Sequence, residues 1–276
     1  MLTFSVLVFL ASTAAGFLGS LTGLGGGVVV TPVLALLFHV DLRYAMGASL
    51  VSVIATSSGA ASAYVREGYS NVRIGLFLEI ATTLGALGGA HLATILPTYI
   101  LSIILGLVLL YSAYSSTRPL PDHLETSQAD PLAARLHLNG EYPVAGRSQP
   151  YVVRRVKGGF AVMLSAGLMS GLLGIGSGAL KVIAMDQVMR IPFKVSTTTS
   201  NFMIGVTAAA SAGIYLSRGF IQPAIAMPVM LGVLAGSLIG ARKLGGARIK
   251  SLRLLFAFVV AALAIEMIYG GISGKL

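Results

Sequence analysis

The sequence predicts an all-α polytopic membrane protein made of two inverted repeats, each with a glycine-broken discontinuous helix or hairpin followed by about three transmembrane helices. Three observations lead to this prediction: the composition, two matching glycine clusters and an internal duplication. Hydrophobic residues make up 55% of the 276 positions and charged residues only 10%, whereas soluble domains usually carry about 25% charged residues. Several nearly uncharged stretches approach about 20 residues, which is long enough to cross a bilayer.

The two glycine clusters interrupt long apolar segments at matching positions. Gly23–Gly27 divides the segment from Leu2 to Phe38, and Gly174–Gly178 divides the segment from Gly158 to Met189. In hydrocarbon, an interrupted helix is tolerated only where protein or a wet cavity satisfies the freed backbone groups. Paired interruptions in two halves of a chain therefore indicate a transporter's binding site.

Ten apolar segments are predicted, five on each side of a polar linker. They fall at 4–22, 28–38, 44–64, 72–96 and 98–115, and then at 158–174, 179–190, 195–216, 221–241 and 252–270. A shift of 151 residues lays the second set on the first without a gap, with identities such as Gly25/Gly176, Gly27/Gly178, Ser49/Ser200, Thr56/Thr207, Gly85/Gly236 and Gly89/Gly240. This register indicates an internal duplication. The predicted domains are a first membrane repeat at 1–115, a polar cytoplasmic linker at 116–157 and a second membrane repeat at 158–276.

The placement of Lys and Arg predicts how the two halves face. If each broken segment leaves and returns to the same side of the membrane, fifteen basic residues lie on the linker side and three, Arg43, Arg218 and Lys275, lie on the other. A continuous span at each break gives ten against eight. The first topology obeys the positive-inside rule, and it gives each half an odd number of crossings, which inverts one half relative to the other.

Composition and motifs also exclude several classes of function. The net charge of +10 comes from residues at segment ends, which argues against a nucleic-acid partner. The chain has no cysteine and four histidines, and we predict neither a metal centre nor a cofactor. The sequence lacks the G-x-S-x-G, H-E-x-x-H and phosphate-loop motifs, so we do not expect an enzyme. Met1 to Ser20 has small residues typical of a signal peptide, but no basic residue precedes its apolar run, and we assign it to the mature fold.

The candidate site combines the glycine breaks with hydroxyl-bearing segments that follow them. Short helices beginning near Val28 and Ala179 point backbone N–H groups at the breaks, and such helix ends attract anions. Hydroxyl and amide side chains then donate hydrogen bonds without fixed charge, although Ser and Thr equally often bond their own helix. The predicted substrate-binding residues are Gly25, Gly26, Gly27, Ser49, Ser52, Gly176, Ser177, Gly178, Lys181, Thr197, Ser200 and Asn201.

Two charged residues fall inside predicted spans. Lys181 stands three positions after Gly178, and its repeat counterpart is Val30. A charge within the membrane is costly and usually functional. We expect Lys181 either to face an anion or to pair with Asp186, Glu79 or Glu266. Glu79 is a coupling candidate as a proton-carrying carboxylate, with a pairing role and a near-surface position as alternatives.

The run from Gly16 to Leu34, G-F-L-G-S-L-T-G-L-G-G-G-V-V-V-T-P-V-L, resembles the signature of the TauE/SafE family, also called the 4-toluene sulfonate uptake permease family. A second copy runs from Gly167 to Ala184, with Ser177 in place of a glycine and no proline matching Pro32. The resemblance implies a secondary transporter for sulfite, sulfoacetate, aromatic sulfonates or related organic anions in the bacterial inner membrane.

We therefore predict a permease for a small sulfur-containing anion, working by alternating access in a multi-pass inner-membrane protein. The alternatives are an anion channel and a carrier for another small organic anion such as a carboxylate. The predicted partners are the anion and the lipid bilayer, and a homodimer is left open.

Overall fold

The computed structural model describes residues 2–22, 26–66, 70–117, 130–144, 147–176, 178–243 and 249–274, and most of them are helical. The first half contains α1 (Leu2–Thr22), α2 (Gly27–Leu37), α3 (Leu42–Arg66), α4 (Val72–Ile95) and α5 (Thr98–Thr117). The linker contains α6 (Pro131–Arg135), β1 (Gly140–Val144) and β2 (Arg147–Tyr151). The second half contains α7 (Val156–Leu173), α8 (Gly178–Ile183), a π-helical segment (Ala184–Val188), α9 (Phe193–Ser217), α10 (Pro223–Lys243) and α11 (Ile249–Ile272).

The all-α polytopic class is confirmed. Within the described parts of the chain, five helices are long and apolar enough to cross a membrane: Val72–Ile95, Thr98–Ser115, Val156–Leu173, Pro223–Gly240 and Leu254–Ile272. Helices α3 and α9 have 25 residues each, which is also long enough to span, but they are richer in Ser and Thr. They pack against each other and against several other helices, and most of their described Ser and Thr side chains are buried, for example those of Ser49, Ser200 and Thr207.

Both predicted helix breaks are present. Gly174 ends α7 with φ +67°, its N–H donates to the Ser170 carbonyl (2.9 Å), and Gly176 follows with φ +73°. Left-handed backbone is disfavoured for residues with a Cβ, and a Cβ built on Gly174 would also lie 2.8 Å from the Met46 carbonyl oxygen, so both positions favour glycine. In the first half, α2 begins at Gly27 with Gly26 as its N-cap.

The short helices separate each break from one end of the bundle. Helix α2 has 11 residues, and α8 with its π-helical continuation has 6 and 5. At about 1.5 Å of rise per residue, each run covers about 16 Å, roughly half of a hydrocarbon core.

Glycines allow the helices of the two halves to pack closely. Helix α1 lies against α10, and α7 lies against α4. A Cβ built on Gly236 would lie 2.0 Å from the Thr13 carbonyl oxygen, and one on Gly85 would lie 2.1 Å from that of Leu164. Since Gly85 and Gly236 are repeat counterparts, the shared glycine framework is explained largely by this packing. Gly88 has open space around it instead.

The start of α1 and the end of α2 lie together at one end of the bundle. The rings of Phe4 and Phe38 meet there, with centroids 5.8 Å apart. Arg43, at the start of α3, donates to the Leu96 carbonyl after α4 (2.9 Å), and its guanidinium lies 5.6 Å from the ring of Phe220 between α9 and α10. The broken pair α1–α2 therefore leaves from and returns to this end.

The start of α7 and the end of the π-helical segment lie together at the opposite end of the bundle. The Arg154 N–H donates to the Met189 carbonyl (3.0 Å), so the broken pair α7–α8 leaves from and returns to this second end. The Asn71 N–H, before α4, donates to the Thr199 hydroxyl in the first turns of α9 (3.0 Å). The linker lies at the same end, because the Asn71 side-chain amide donates to the Leu138 carbonyl and the Tyr151 hydroxyl.

The linker was expected to be a polar loop, but its described part is a folded unit. Strands β1 and β2 pair antiparallel, with Gly140 opposite Tyr151. Leu138, Tyr151 and Val153 belong to one buried cluster with Ile74 and Leu78 of α4. These apolar linker residues are buried against a membrane helix that is distant in sequence, so no local pattern predicted the hairpin.

Candidate functional site

The two glycine breaks meet at the centre of the bundle. A Cβ built on Gly27 would lie 3.5 Å from the Ile175 carbonyl oxygen, so the first break approaches the second. The Cβ position of Gly176 lies 3.0 Å from Ile204 of α9 and 3.1 Å from Val53 of α3. Helix α3 therefore lines both breaks, and α9 lines the second.

The two halves repeat one hydrogen bond at their breaks. The Ser49 hydroxyl donates to the Gly27 carbonyl (3.2 Å), and the Ser200 hydroxyl donates to the Gly178 carbonyl (3.3 Å). Both serines are buried. These bonds attach α2 to α3 and α8 to α9 at the first residue of each short helix, which leaves the N–H groups of that turn directed at the break.

The other predicted hydroxyls bond their own helices. The Ser52 hydroxyl donates to the Ser49 carbonyl (2.7 Å), and the Thr197 hydroxyl donates to the Phe193 carbonyl (2.9 Å). Each hydroxyl has a single proton, so an anion near these side chains competes with a backbone carbonyl for it.

Asn201 differs from these hydroxyls. Its side chain is half-buried, and no hydrogen-bonding partner for its amide is found among the described residues. It precedes Ile204 by three positions, which puts both on one face of α9, and Ile204 contacts the second break. A half-buried amide with two unused N–H donors beside a break is suited to bind an oxyanion. Gly25 and Ser177, also predicted to bind substrate, lie outside the described residues.

Lys181 and Glu79 form a buried charged pair. Lys181 is fully buried and Glu79 is 6% exposed. The Lys181 Nζ donates to Thr207 Oγ1 (2.5 Å) and lies 4.0 Å from Glu79 Oε2. Of the three acidic partners considered for Lys181, the structure places Glu79 beside it. The charges come from α8 and α4, so the pair joins the two halves of the chain.

Three threonines complete this polar cluster. The Thr207 hydroxyl donates to Glu79 Oε1 (2.6 Å), and the Thr83 hydroxyl donates to the same oxygen (3.2 Å). Thr82 is fully buried and its hydroxyl lies 3.4 Å from that of Thr207. Thr207 belongs to the row of hydroxyls that follows the second break, but none of these threonines was among the predicted substrate-binding residues. The sequence signal was the spacing of Thr207, which follows Ser200 by seven residues and shares its helix face.

The repeat counterparts of the two charged residues are uncharged. Val30 stands where Lys181 stands in the second half, and it is buried. The repeat counterpart of Glu79 is Met230. The pair therefore makes the centre of the bundle electrostatically asymmetric. In the described part of the chain, no three His, Cys, Asp or Glu side chains come close enough to hold a metal ion.

Comparison with known proteins gives one family and several relatives. The family model for the sulfite exporter TauE/SafE matches residues 8–267. The probable membrane transporter protein YunE of Bacillus subtilis (strain 168) is 26% identical over 98% of this chain and 99% of its own length. YdhB of the same organism, another probable membrane transporter protein, is 28% identical over 86% and 87%. ORF9 of Sinorhizobium sp, named likewise, is 25% identical over 97% and 94%. No solved structure matches the chain.

These matches agree with the five apolar spans. The chain is a multi-pass membrane transporter of the bacterial inner membrane, and it is not an enzyme.

Proposed function

Since the chain belongs to the TauE/SafE sulfite exporter family, we propose that it is a secondary transporter that moves a small sulfur-containing anion, such as sulfite or an organosulfonate, by alternating access. The observation that best supports this is the meeting of the two breaks between α3 and α9. There, two short helices begin about half-way through the membrane, next to the half-buried amide of Asn201.

The anion binds between the breaks in this proposal. Backbone N–H groups at Gly25, Gly26, Gly27, Gly176, Ser177 and Gly178 provide donors without fixed charge, and the beginnings of the short helices favour negative charge. Asn201 adds side-chain N–H donors. Ser49, Ser52, Thr197 and Ser200 line the same helices and contribute where the anion displaces a backbone carbonyl as acceptor.

Inversion of the repeats supplies the two access states. The contacts at the bundle ends support it, because α1–α2 returns to the end where it began and α7–α8 does the same at the opposite end. The repeats at 1–115 and 158–276 then face opposite sides, and the linker at 116–157 lies in the cytoplasm. Inverted repeats with broken helices are typical of secondary transporters. A homodimer stays a prediction.

Flux into proteoliposomes tests this function. A thermal-shift screen against sulfite, sulfate, sulfoacetate, toluenesulfonate and matched carboxylates first identifies binders. Radiolabelled uptake of each binder is then expected to saturate and to show counterflow. Conductance without counterflow would indicate an anion channel. Preferential binding and uptake of a carboxylate would indicate an organic-anion carrier of another class, and binding of none of these anions would contradict the proposal.

A further inference from the structure

We propose that Lys181 and Glu79 couple anion transport to one proton: the anion replaces Glu79 as the counter-ion of Lys181, and Glu79 becomes protonated in the same step. This inference rests on the proposed function, because it requires an anion at the breaks. It adds the coupling ion and the residues that exchange it.

The first argument is that the Lys181 ammonium has more N–H donors than it uses in hydrogen bonds to the described residues. A lysine ammonium carries three N–H groups, and one of them is donated to Thr207. The 4.0 Å separation between Nζ and Glu79 Oε2 is a charge contact but too long for a hydrogen bond. Lys181 can therefore turn toward an anion while it keeps its bond to Thr207.

The second argument is that the ammonium lies close to the second break. Side chains of an α-helix lean toward its N-terminus, and the N-terminus of α8 is at the break. Thr207, which accepts from Lys181, lies on the face of α9 that also contains Ser200 and Ile204. Ser200 donates to the Gly178 carbonyl, and Ile204 lies against Gly176. The charged pair is thus continuous with the proposed anion site.

The third argument concerns the two carboxylate oxygens of Glu79. Oε1 accepts from Thr207 and Thr83. Oε2 is buried and has no hydrogen-bonding partner among the described residues. If Lys181 turns to an anion, Oε2 loses its nearest positive charge and is left as a buried unpaired charge, which is strongly unfavourable. Protonation of Oε2 removes that charge.

No other buried cation is available to replace Lys181 within the described part of the elements packed around Glu79. Arg73 on α4, Lys157 on α7, Arg190 after the π-helical segment and Lys194 on α9 are all exposed, as is His91 on α4. The other buried ionisable groups on these elements are Asp186, five residues after Lys181, and Tyr215, whose hydroxyl donates to the Gly171 carbonyl (3.2 Å).

The charge balance supports a ratio of one proton to one monovalent anion. Without substrate, the ammonium and the carboxylate sum to zero. With a monovalent anion bound and Glu79 protonated, the ammonium and the anion again sum to zero. Binding the anion without the proton would place a net negative charge in the membrane interior, and a proton without the anion would leave Lys181 unpaired. Both are disfavoured in a low-dielectric site, so the two enter and leave together.

Purified protein in proteoliposomes that enclose a pH-sensitive dye allows anion uptake and proton movement to be measured together. The probes are radiolabelled methanesulfonate, which keeps one negative charge throughout the pH range used, and radiolabelled sulfite. We expect uptake to acidify the lumen with about one proton per methanesulfonate, and an inward proton gradient to drive accumulation.

Variants distinguish a role of the two residues in proton coupling from a purely structural role. Glu79→Gln mimics the protonated side chain, so we expect anion counterflow to persist while acidification and proton-driven accumulation are lost. Lys181→Met is expected to weaken anion binding about tenfold or more, and Lys181→Met with Glu79→Gln should stay equally weak although no charge is left unpaired. Glu266→Gln is the control because this exposed carboxylate on α11 lies outside the cluster, and it should leave the proton ratio unchanged.

The outcomes distinguish the two proposals. Uptake without acidification in the wild type, or acidification that survives in Glu79→Gln, would overturn the proton-coupling inference and leave the transporter proposal standing. Normal anion affinity in the double variant would also overturn it, because Lys181 would then be a structural partner of Glu79. Uptake of neither probe and of no sulfur anion from the binding screen would overturn the proposed function and the inference with it.

Discussion

At the scale of single residues, the centre of the bundle contains two kinds of polar side chain. The hydroxyls of Ser49, Ser52, Thr197 and Ser200 already donate to backbone carbonyls, so they stabilise the helices in the absence of ligand. Asn201 has no such bond within the described chain and is half-buried. An unpaired amide in a membrane interior is unfavourable unless a ligand or water satisfies it. Asn201 is therefore the side chain whose substitution should affect anion binding most selectively.

We expect Asn201→Leu to weaken anion binding by about tenfold to a hundredfold, the usual effect of losing a hydrogen bond to a charged group. The fold should tolerate it, because the repeat counterpart is Leu50, which is fully buried on α3. Titration of sulfite or methanesulfonate by calorimetry measures the change. Gln222→Leu is the matched control, since it removes an exposed amide before α10. Equal affinity in both variants would remove Asn201 from the proposed site.

At the scale of helices, the sequence predicted most of the membrane part. The ten apolar segments correspond to the ten helices that the structure describes in the two halves, with the short helix after the second break continuing as a π-helical segment. Periodic hydrophobicity and glycine breaks are local signals, so they can be recognised in one sequence. The bond between Thr207 and Glu79 joins positions 128 apart, and no local pattern indicates which of three carboxylates meets Lys181.

The linker hairpin depends on the same kind of distant contact. The Asn71 Nδ2 donates to the Tyr151 hydroxyl (2.7 Å) and to the Leu138 carbonyl (3.2 Å). Tyr151 is 8% exposed, and burial raises the pKa of its phenol, an effect that the hydrogen bond from Asn71 opposes. The hairpin is thus attached to the N-terminus of α4 through one buried tyrosine.

We expect Tyr151→Phe to lower the free energy of unfolding by about 1 kcal/mol, because it removes a buried hydrogen bond and leaves the Asn71 amide short of a partner. Thermal unfolding in detergent measures it. Tyr142→Phe is the control, since the Tyr142 ring packs on that of Tyr151 (6.0 Å) but its hydroxyl has no recorded bond within the described residues. A similar loss in both variants would argue against the Asn71 contact as the cause.

The raised pKa of Tyr151 also predicts a pH dependence. The unfolded chain releases the phenolic proton first as the pH rises past the usual tyrosine range, so unfolding becomes more favourable there. The stability that neutral Tyr151 provides is therefore complete at neutral pH and is lost as the pH approaches the higher folded pKa. Tyr151→Phe should lack this alkaline loss when unfolding is followed across that range.

At the scale of the whole molecule, the two halves are interleaved rather than side by side. Helix α10 packs on α1 and α3, while α4 packs on α7 and α9. Separating residues 1–115 from 158–276 would break the contacts at Gly85 and Gly236, where backbones touch. Under the proposed alternating access, movement is more favourable between the group α1, α2, α3 and α10 and the group α4, α7, α8 and α9. Its sliding surface would be the contact of α3 with α9, where the breaks meet.

Single-cysteine labelling tests the topology on which this movement depends, and it is clean because the chain has no native cysteine. Asp41→Cys and Arg218→Cys place one thiol of each half at the end of the bundle where α3 begins and α9 ends. Glu141→Cys and Lys194→Cys place them at the second end, and all four positions are exposed.

If the repeats are inverted, an impermeant maleimide added to intact cells should label Asp41→Cys and Arg218→Cys. The other two should react only after the membrane is opened, because the excess of basic residues predicts that the second end faces the cytoplasm. Glu141→Cys and Lys194→Cys labelling from opposite sides, as a continuous span at the second break requires, would contradict the inversion and, with it, the proposed exchange of access between the two ends.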